Sequence, residues 1–338
     1  QGYTGNVTLT NDVVLTTTNS QITFTGTVDS EATEANDLTI AVGSSEVQFD
    51  GSVGGTVPLG AIDITGDLDL NADITSATSL NINGNSDLAA DVTTSGTQTY
   101  GDDAASDTVT LETAINFTTT DSNITFNSIV DSNNTTPKAI TIDMDNSGAE
   151  VDGTVTFAGV VGTNEDVAAI GITGNLDLNA AIGNGATAGA TSINVSGTSN
   201  IGADITTTNN QTYTGAVTMS GGNRILRSNS GTINNVSTIN GGGNNLTITG
   251  NLNIDDAISN TAIFSVSGTT DLGANVTTTG TQTYTGAVTL SGAARTLTTT
   301  GDNVIFSSTV NGAQDLTVDT TNSGGGWSTT WCFCLSPG

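Results

Sequence analysis

Carboxylates are the residues in this chain best suited by type to do chemistry. Asp67 and Asp69 stand two positions apart, Asp73 follows closely, and Asp177 and Asp255 occupy equivalent segments further on. Alternate residues of an extended strand share a face, so Asp67 and Asp69 would lie side by side. Such a pair could offer oxygens to a hard divalent cation such as Ca²⁺. Two carboxylates at a defined separation also run glycoside hydrolysis. A plainer reading competes with both. The chain has 33 Asp and Glu against four basic residues, a net charge of −29, and acidic side chains at this density make a solvated surface. The Gly-Gly-x-Gly-x-Asp calcium repeat is absent from the sequence, and so is histidine. Few bases are present to hold an anionic sugar. The expectation is a protein that is not an enzyme, with no catalytic residue, no cofactor and no metal site.

The remaining candidates are few. Arg224 and Arg227 form the one close basic pair, and they read either as a docking spot or as neutralisers of neighbouring carboxylates. The Asn-x-Ser/Thr triplets at Asn6, Asn123, Asn194, Asn235 and Asn275 are expected by chance in so threonine-rich a chain. Cys332 and Cys334 are the only cysteines, so no disulfide framework holds the body. The negative charge repels nucleic acid and anionic membrane surfaces, and no apolar run is long enough to span a bilayer. The chain opens at Gln1 without Met and in phase with its own repeat, which implies a processed product or part of a longer chain.

The elements that must position these residues are repetitive. Gln282-Thr-Tyr-Thr-Gly-Ala-Val-Thr-Leu290 recurs as Gln211 to Met219, and in eroded form as Gln98 to Gly101 and Gln1 to Leu9. All four tyrosines, Tyr3, Tyr100, Tyr213 and Tyr284, sit in this segment, which places them at a coil corner by expectation. The repeat body is 1–326, in units 1–97, 98–210, 211–281 and 282–326, followed by a non-repeat tail at 327–338. That tail, rich in Trp and Cys, reads as a cap, a loose end, a foreign sequence or an inter-subunit plug.

Within each unit the same pieces return in order. The best kept is Ile62-Asp-Ile-Thr-Gly-Asp-Leu-Asp-Leu70, matched by Ile170 to Leu178 and Leu246 to Ile254. Each unit closes on a run such as Gly84 to Thr94, Gly197 to Thr207 or Gly268 to Thr278. The third unit is shorter than the first by 97 − 71 = 26 residues, and it fuses the pieces at Leu38 and Ile62 into one at Leu246. A globular core rarely survives such a loss, whereas a stack of coils does, because each coil touches only its neighbours.

Leu-Asp-Leu, Ile-Thr-Ile and Val-Thr-Leu alternate apolar and polar residues, the period of a half-buried strand, and β-branched residues favour it. Gly, Asn, Asp and Ser supply turns between them. Strands this short cannot bury a face alone. The expected fold is all-β: a parallel β-helix, or β-solenoid, built from imperfect tandem repeats.

The Gln-Thr-Tyr-Thr-Gly-Ala-Val-Thr-Leu segment resembles repeats of large bacterial surface adhesins, the filamentous-haemagglutinin-like exoproteins. Ala313-Gln-Asp-Leu-Thr-Val318 and Gly54-Gly-Thr-Val-Pro-Leu59 carry the same likeness. The resemblance covers nearly all of 1–326 and implies a right-handed parallel β-helix, secreted to the bacterial cell surface, serving as an adhesive stalk or fibre. The partners it implies are a glycan or protein on a host or neighbouring cell, with copies of the chain stacked end to end as the alternative arrangement.

Overall fold

The computed structural model describes residues 1–102, 106–133, 136–145 and 152–321, together with the backbone of Thr330–Phe333. Every regular element among them is a β-strand. The chain divides into two compact units, Gln1–Ala180 and Ala181–Gly338, and the same construction is repeated in each.

In the first unit the chain lays down one short strand on each of three faces and then returns to the first. Gly2–Tyr3, Val7–Leu9 and Val13–Thr16 begin the three stacks. On the first face the inward positions run Tyr3, Phe24, Phe49, Leu70, Leu88, Leu111, each paired in parallel register with the next. The third face carries Ile40, Ile64, Ile82, Tyr100, Phe126, Phe157 and Leu178 in the same way. The second unit repeats the scheme. One face stacks Leu226, Ile248, Val266, Tyr284 and Phe306. The next stacks Ile193, Gln211, Ile233, Leu252, Thr270, Val288 and Val310. The last stacks Val217, Ile239, Ile258, Val276, Leu297 and Val318. This is a parallel β-solenoid, as the alternation of residue types predicts.

Leu38 pairs in register with Ile62, 24 residues on, so this stretch is one coil. The shortening of the third repeat therefore corresponds closely to one whole coil. Rings align with the coils as well. Tyr3 stacks on Phe24 at 4.9 Å between centroids, and Phe24 on Phe49 at 5.1 Å. Tyr100 stacks on Phe126 at 5.1 Å, and Phe126 on Phe157 at 5.2 Å. These spacings follow the strand repeat of about 4.8 Å, and each such pair contributes roughly 1 kcal/mol beyond its burial.

Corners are made with little or no loop. The glycine of Ile-Thr-Gly-[Asp/Asn]-Leu adopts φ 132° at Gly66, 127° at Gly174 and 122° at Gly250. Only glycine reaches this region readily. A Cβ at Gly250 would also stand 2.5 Å from the Ser228 carbonyl oxygen of the coil beneath. The best-kept piece of the repeat is thus a corner that lets one strand turn from one face to the next.

Thr330–Phe333 pairs antiparallel with Leu316–Asp319, in contrast to the parallel pairing of the stacked coil strands described above. The edge of that parallel strand is thereby covered by backbone of the tail. The rest of the tail, including Trp327 and Cys334, lies outside the described residues.

Ile172 is 3 % exposed and stacks on Ile142, whereas Asp177 faces outward beside Thr156. Ile172→Asp should cost at least about 4 kcal/mol in denaturant unfolding, because it strands a charge in an apolar column. Asp177→Asn should stay within about 0.5 kcal/mol of the parent. Equal losses for the two variants would mean that the faces are reversed.

Candidate functional site

The strands place most of the polar side chains with chemical potential against the next coil. Asp67 Oδ1 accepts the backbone N–H of Asn85 at 2.8 Å. Asp73 Oδ1 accepts that of Asp91 at 3.0 Å, and Asp91 in turn accepts that of Asn116 at 2.8 Å. Asn residues do the same work in the second unit. Asn251 accepts from Thr269 at 3.0 Å and Asn275 from Thr296 at 2.8 Å. Each of these bonds satisfies a donor that leaves the strand ladder at a corner. Asp and Asn interchange between repeats because one side-chain oxygen suffices for the backbone bond.

The sequence-derived candidates are therefore dispersed. Asp67 and Asp73 are engaged in different coil-to-coil bonds. Asp177 accepts from Asn179 Nδ2 at 3.1 Å, and Asp255 from Asn253 Nδ2 at 3.3 Å. Among the described residues, no group of three His, Cys, Asp or Glu is disposed to hold a metal ion.

Asp69 differs from these. It points outward on the first face, in register with Gln48 on one side and Asp87 on the other, while Glu46 is paired with Asp67 in the adjacent column. Partial burial, with Asp69, Asp87 and Asp67 nearby, raises the Glu46 carboxyl above its ordinary range. Partial burial raises Asp69 likewise; the Asn71 amide opposes the shift, and Asp87, Asp50 and Glu112 add to it. Like charges in register are unfavourable. The charge is also unevenly divided: residues 1–180 carry 26 of the 33 acidic side chains and residues 181–338 carry 7.

Arg224 and Arg295 bind main chain, whereas the buried Nε of Arg227 has no hydrogen-bond partner. Arg224 donates to the Ser220 carbonyl at 2.9 Å and the Asn223 carbonyl at 2.8 Å. Arg295, four residues after Ser291 in an equivalent turn, donates to its carbonyl at 2.5 Å. Both close a corner; of the pair that the sequence offered as a docking spot or as neutralisers, Arg224 and Arg227, the first is used in this way. Of the Asn-x-Ser/Thr triplets, three supply coil-to-coil bonds, at Asn6, Asn123 and Asn275, while Asn194 is exposed. Asn6 and Asn123 accept from Thr27 and Thr154 of the next coil at 3.2 and 2.9 Å, and Asn235 is fully buried.

The arrangement that sequence reasoning missed is internal. Tyr100, Tyr213 and Tyr284 each end a three-residue strand and are at most 1 % exposed. Each phenol donates to the glutamine two residues before it, Gln98, Gln211 or Gln282, at 3.0, 3.0 and 3.1 Å. The glutamines are wholly buried. The amide of Gln282 shares its N–H groups among the Val276 carbonyl at 3.1 Å, Thr278 Oγ1 at 3.3 Å and the Thr298 carbonyl at 2.9 Å. Thr298 belongs to the following coil, where it is paired with Thr277.

Gln98 and Gln211 repeat this set residue for residue, reaching the carbonyls of Thr118 at 2.9 Å and Arg227 at 2.7 Å in their following coils. Burial pushes all three phenols well above their usual range, so they stay protonated donors. A legible signal existed. Glutamine alternates with tyrosine on the buried side of a strand at 98, 211 and 282, with Thr four residues earlier in each.

The cassette also contains a cost. Ser86, Ser199 and Thr270 stand twelve residues before the three glutamines, and their buried hydroxyls have no hydrogen-bond partner.

No family model, curated protein or solved structure matches this chain.

Thr270→Val keeps the shape and removes an unpaired hydroxyl, so it should raise stability by about 1 kcal/mol in denaturant titration. Tyr213→Phe leaves Gln211 Oε1 without its donor and should lower stability by about 1–2 kcal/mol. The acidic column yields a third expectation. Raised carboxyl pKa values mean that the folded state holds protons more tightly than the unfolded chain. Their contribution therefore increases as pH falls through the raised values and is lost as pH rises. The double variant Glu46→Gln, Asp69→Asn should melt higher than the parent near pH 7. It should also lose part of the parent's gain in stability as pH falls from neutral toward the ordinary carboxylate range of about pH 4.

Proposed function

We propose that the chain is an architectural segment of a bacterial surface protein, a β-solenoid stalk or fibre portion of the filamentous-haemagglutinin-like kind that holds or presents adhesive contacts outside the cell. The observation that carries this reading is the commitment of polar side chains to the coil stack. Asp67, Asp73, Asp91, Asn251 and Asn275 hold backbone of the next coil. Arg224 and Arg295 close corners, and the glutamine–tyrosine pairs lie inside. Side chains spent on persistence of shape suit a protein whose task is reach and surface. The dense negative charge of residues 1–180 supports it, keeping such a surface solvated and repelling like-charged envelopes.

The test is location and contact. On intact cells of the source organism, a membrane-impermeant label should modify the chain. Beads coated with the purified chain should bind cells or an array of glycans and matrix proteins above beads carrying the Ile172→Asp variant. Chain that is labelled only after lysis, or that turns over a glycan, would overturn the proposal.

A further inference from the structure

The recurring glutamine–tyrosine coils invite a mechanical reading, and it holds wherever the chain resides. Successive coils in either unit are held by three kinds of bond. The strand ladder is common to all coils, and apolar columns are nearly interchangeable, since Val, Ile or Leu fills most inward positions. Many Asp and Asn links at the corners, such as Asp67 to Asn85 and Asn251 to Thr269, are exposed, where water competes with them. Asn36, which donates to the Leu9 carbonyl, and Asp131, which accepts from Thr163, are buried links without a tyrosine partner. A ladder held only in these ways opens coil by coil, because each coil meets only its neighbours.

The glutamine coils are different. Gln282 is 0 % exposed and ties its own coil, through Val276 and Thr278, to the carbonyl of Thr298 in the next, while Tyr284 closes its remaining oxygen. Peeling the following coil away strips a buried amide of a partner before water can replace it. The penalty is concentrated at one step. A polar group at a single inward position also forbids slippage, as a buried asparagine does in a coiled coil. Gln211 and Gln98 stand in the same surroundings, with Arg227 and Thr118 supplying the next-coil carbonyl.

We propose that the glutamine–tyrosine coils are stops: under tension the solenoid peels in segments that end at Gln98, Gln211 and Gln282, and the coils beneath each clamp stay wound.

The experiment is to stretch the whole chain by its two ends in an optical trap. Unwinding should show pauses at each clamp. Release of the segment from Gln211 to Gln282, 71 residues, should add about 24 nm of extended chain before the loss of its folded length. Gln282→Leu, which puts an apolar side chain between Phe264 and Val304 in that column, should abolish the pause assigned to Gln282 and retain the one at Gln211. Tyr284→Phe keeps the ring and removes only the hydroxyl; it should shorten the same pause about tenfold. It also serves as the reporter should the leucine variant fail to fold. Rupture of each unit in one step, pauses at spacings unrelated to the glutamines, or pauses unchanged in the variants that fold would overturn the proposal.

Discussion

Each coil of this protein is completed by the one that follows it. Backbone donors that leave the ladder at a corner find a side-chain oxygen one coil away, as when the Asn85 N–H meets Asp67 and the Thr296 N–H meets Asn275. Inward residues find their like at the same height. A short strand such as Val92–Thr94 or Val276–Thr278 has no stable existence alone. Its apolar side and its hydrogen bonds become worthwhile only when the coils beside it are in place. The rest of the molecule follows from that dependence: the glycine corners, the stacked rings, and the tolerance of Asp for Asn.

The same dependence explains how the polar residues are used. In a fold with a narrow apolar interior, a buried amide must be fully partnered or it destabilises the coil. The glutamine at 98, 211 and 282 meets this condition because Thr, Tyr and a carbonyl of the next coil surround it. The lone hydroxyls of Ser86, Ser199 and Thr270 do not meet it. A single cassette therefore holds both the best satisfied and the least satisfied polar groups of the interior. The acidic residues divide in a comparable way. Asp67 is bonded to the next coil, while Asp69, two residues on, faces outward in register with Asp87 and meets like charge.

This chemistry separates the two units by surface while leaving their construction alike. The first uses Asp at many positions where the second uses Asn. Corner acceptors in the first unit include Asp67 and Asp91 beside Asn6 and Asn123, and those in the second include Asn251 and Asn275 beside Asp204. Either residue supplies the carbonyl oxygen, so the coil is indifferent to the choice. Charge is free to vary without altering the fold, and the acidic balance of residues 1–180 is a property of the surface.

Strand period, coil length and the loss of one coil from the third repeat were legible in the sequence. Alternation such as Leu68-Asp-Leu70 and recurrence such as Ile62 to Leu70 against Leu246 to Ile254 are local patterns, and local patterns fix which side of a strand is buried. What lay beyond reach was every choice that depends on where the next coil falls. The tyrosine segment occupies the first face at Gly2–Tyr3 but the third at Gln98–Tyr100. Within the second unit, Gln211–Tyr213 and Gln282–Tyr284 likewise lie on two different faces, because the repeats do not contain a whole number of coils. Which carboxylate reaches a neighbour and which is left to solvent, and whether a glutamine is a surface residue or a clamp, were decided by stacking. Those distinctions rest on partners some twenty residues away, brought close only when the coil closes.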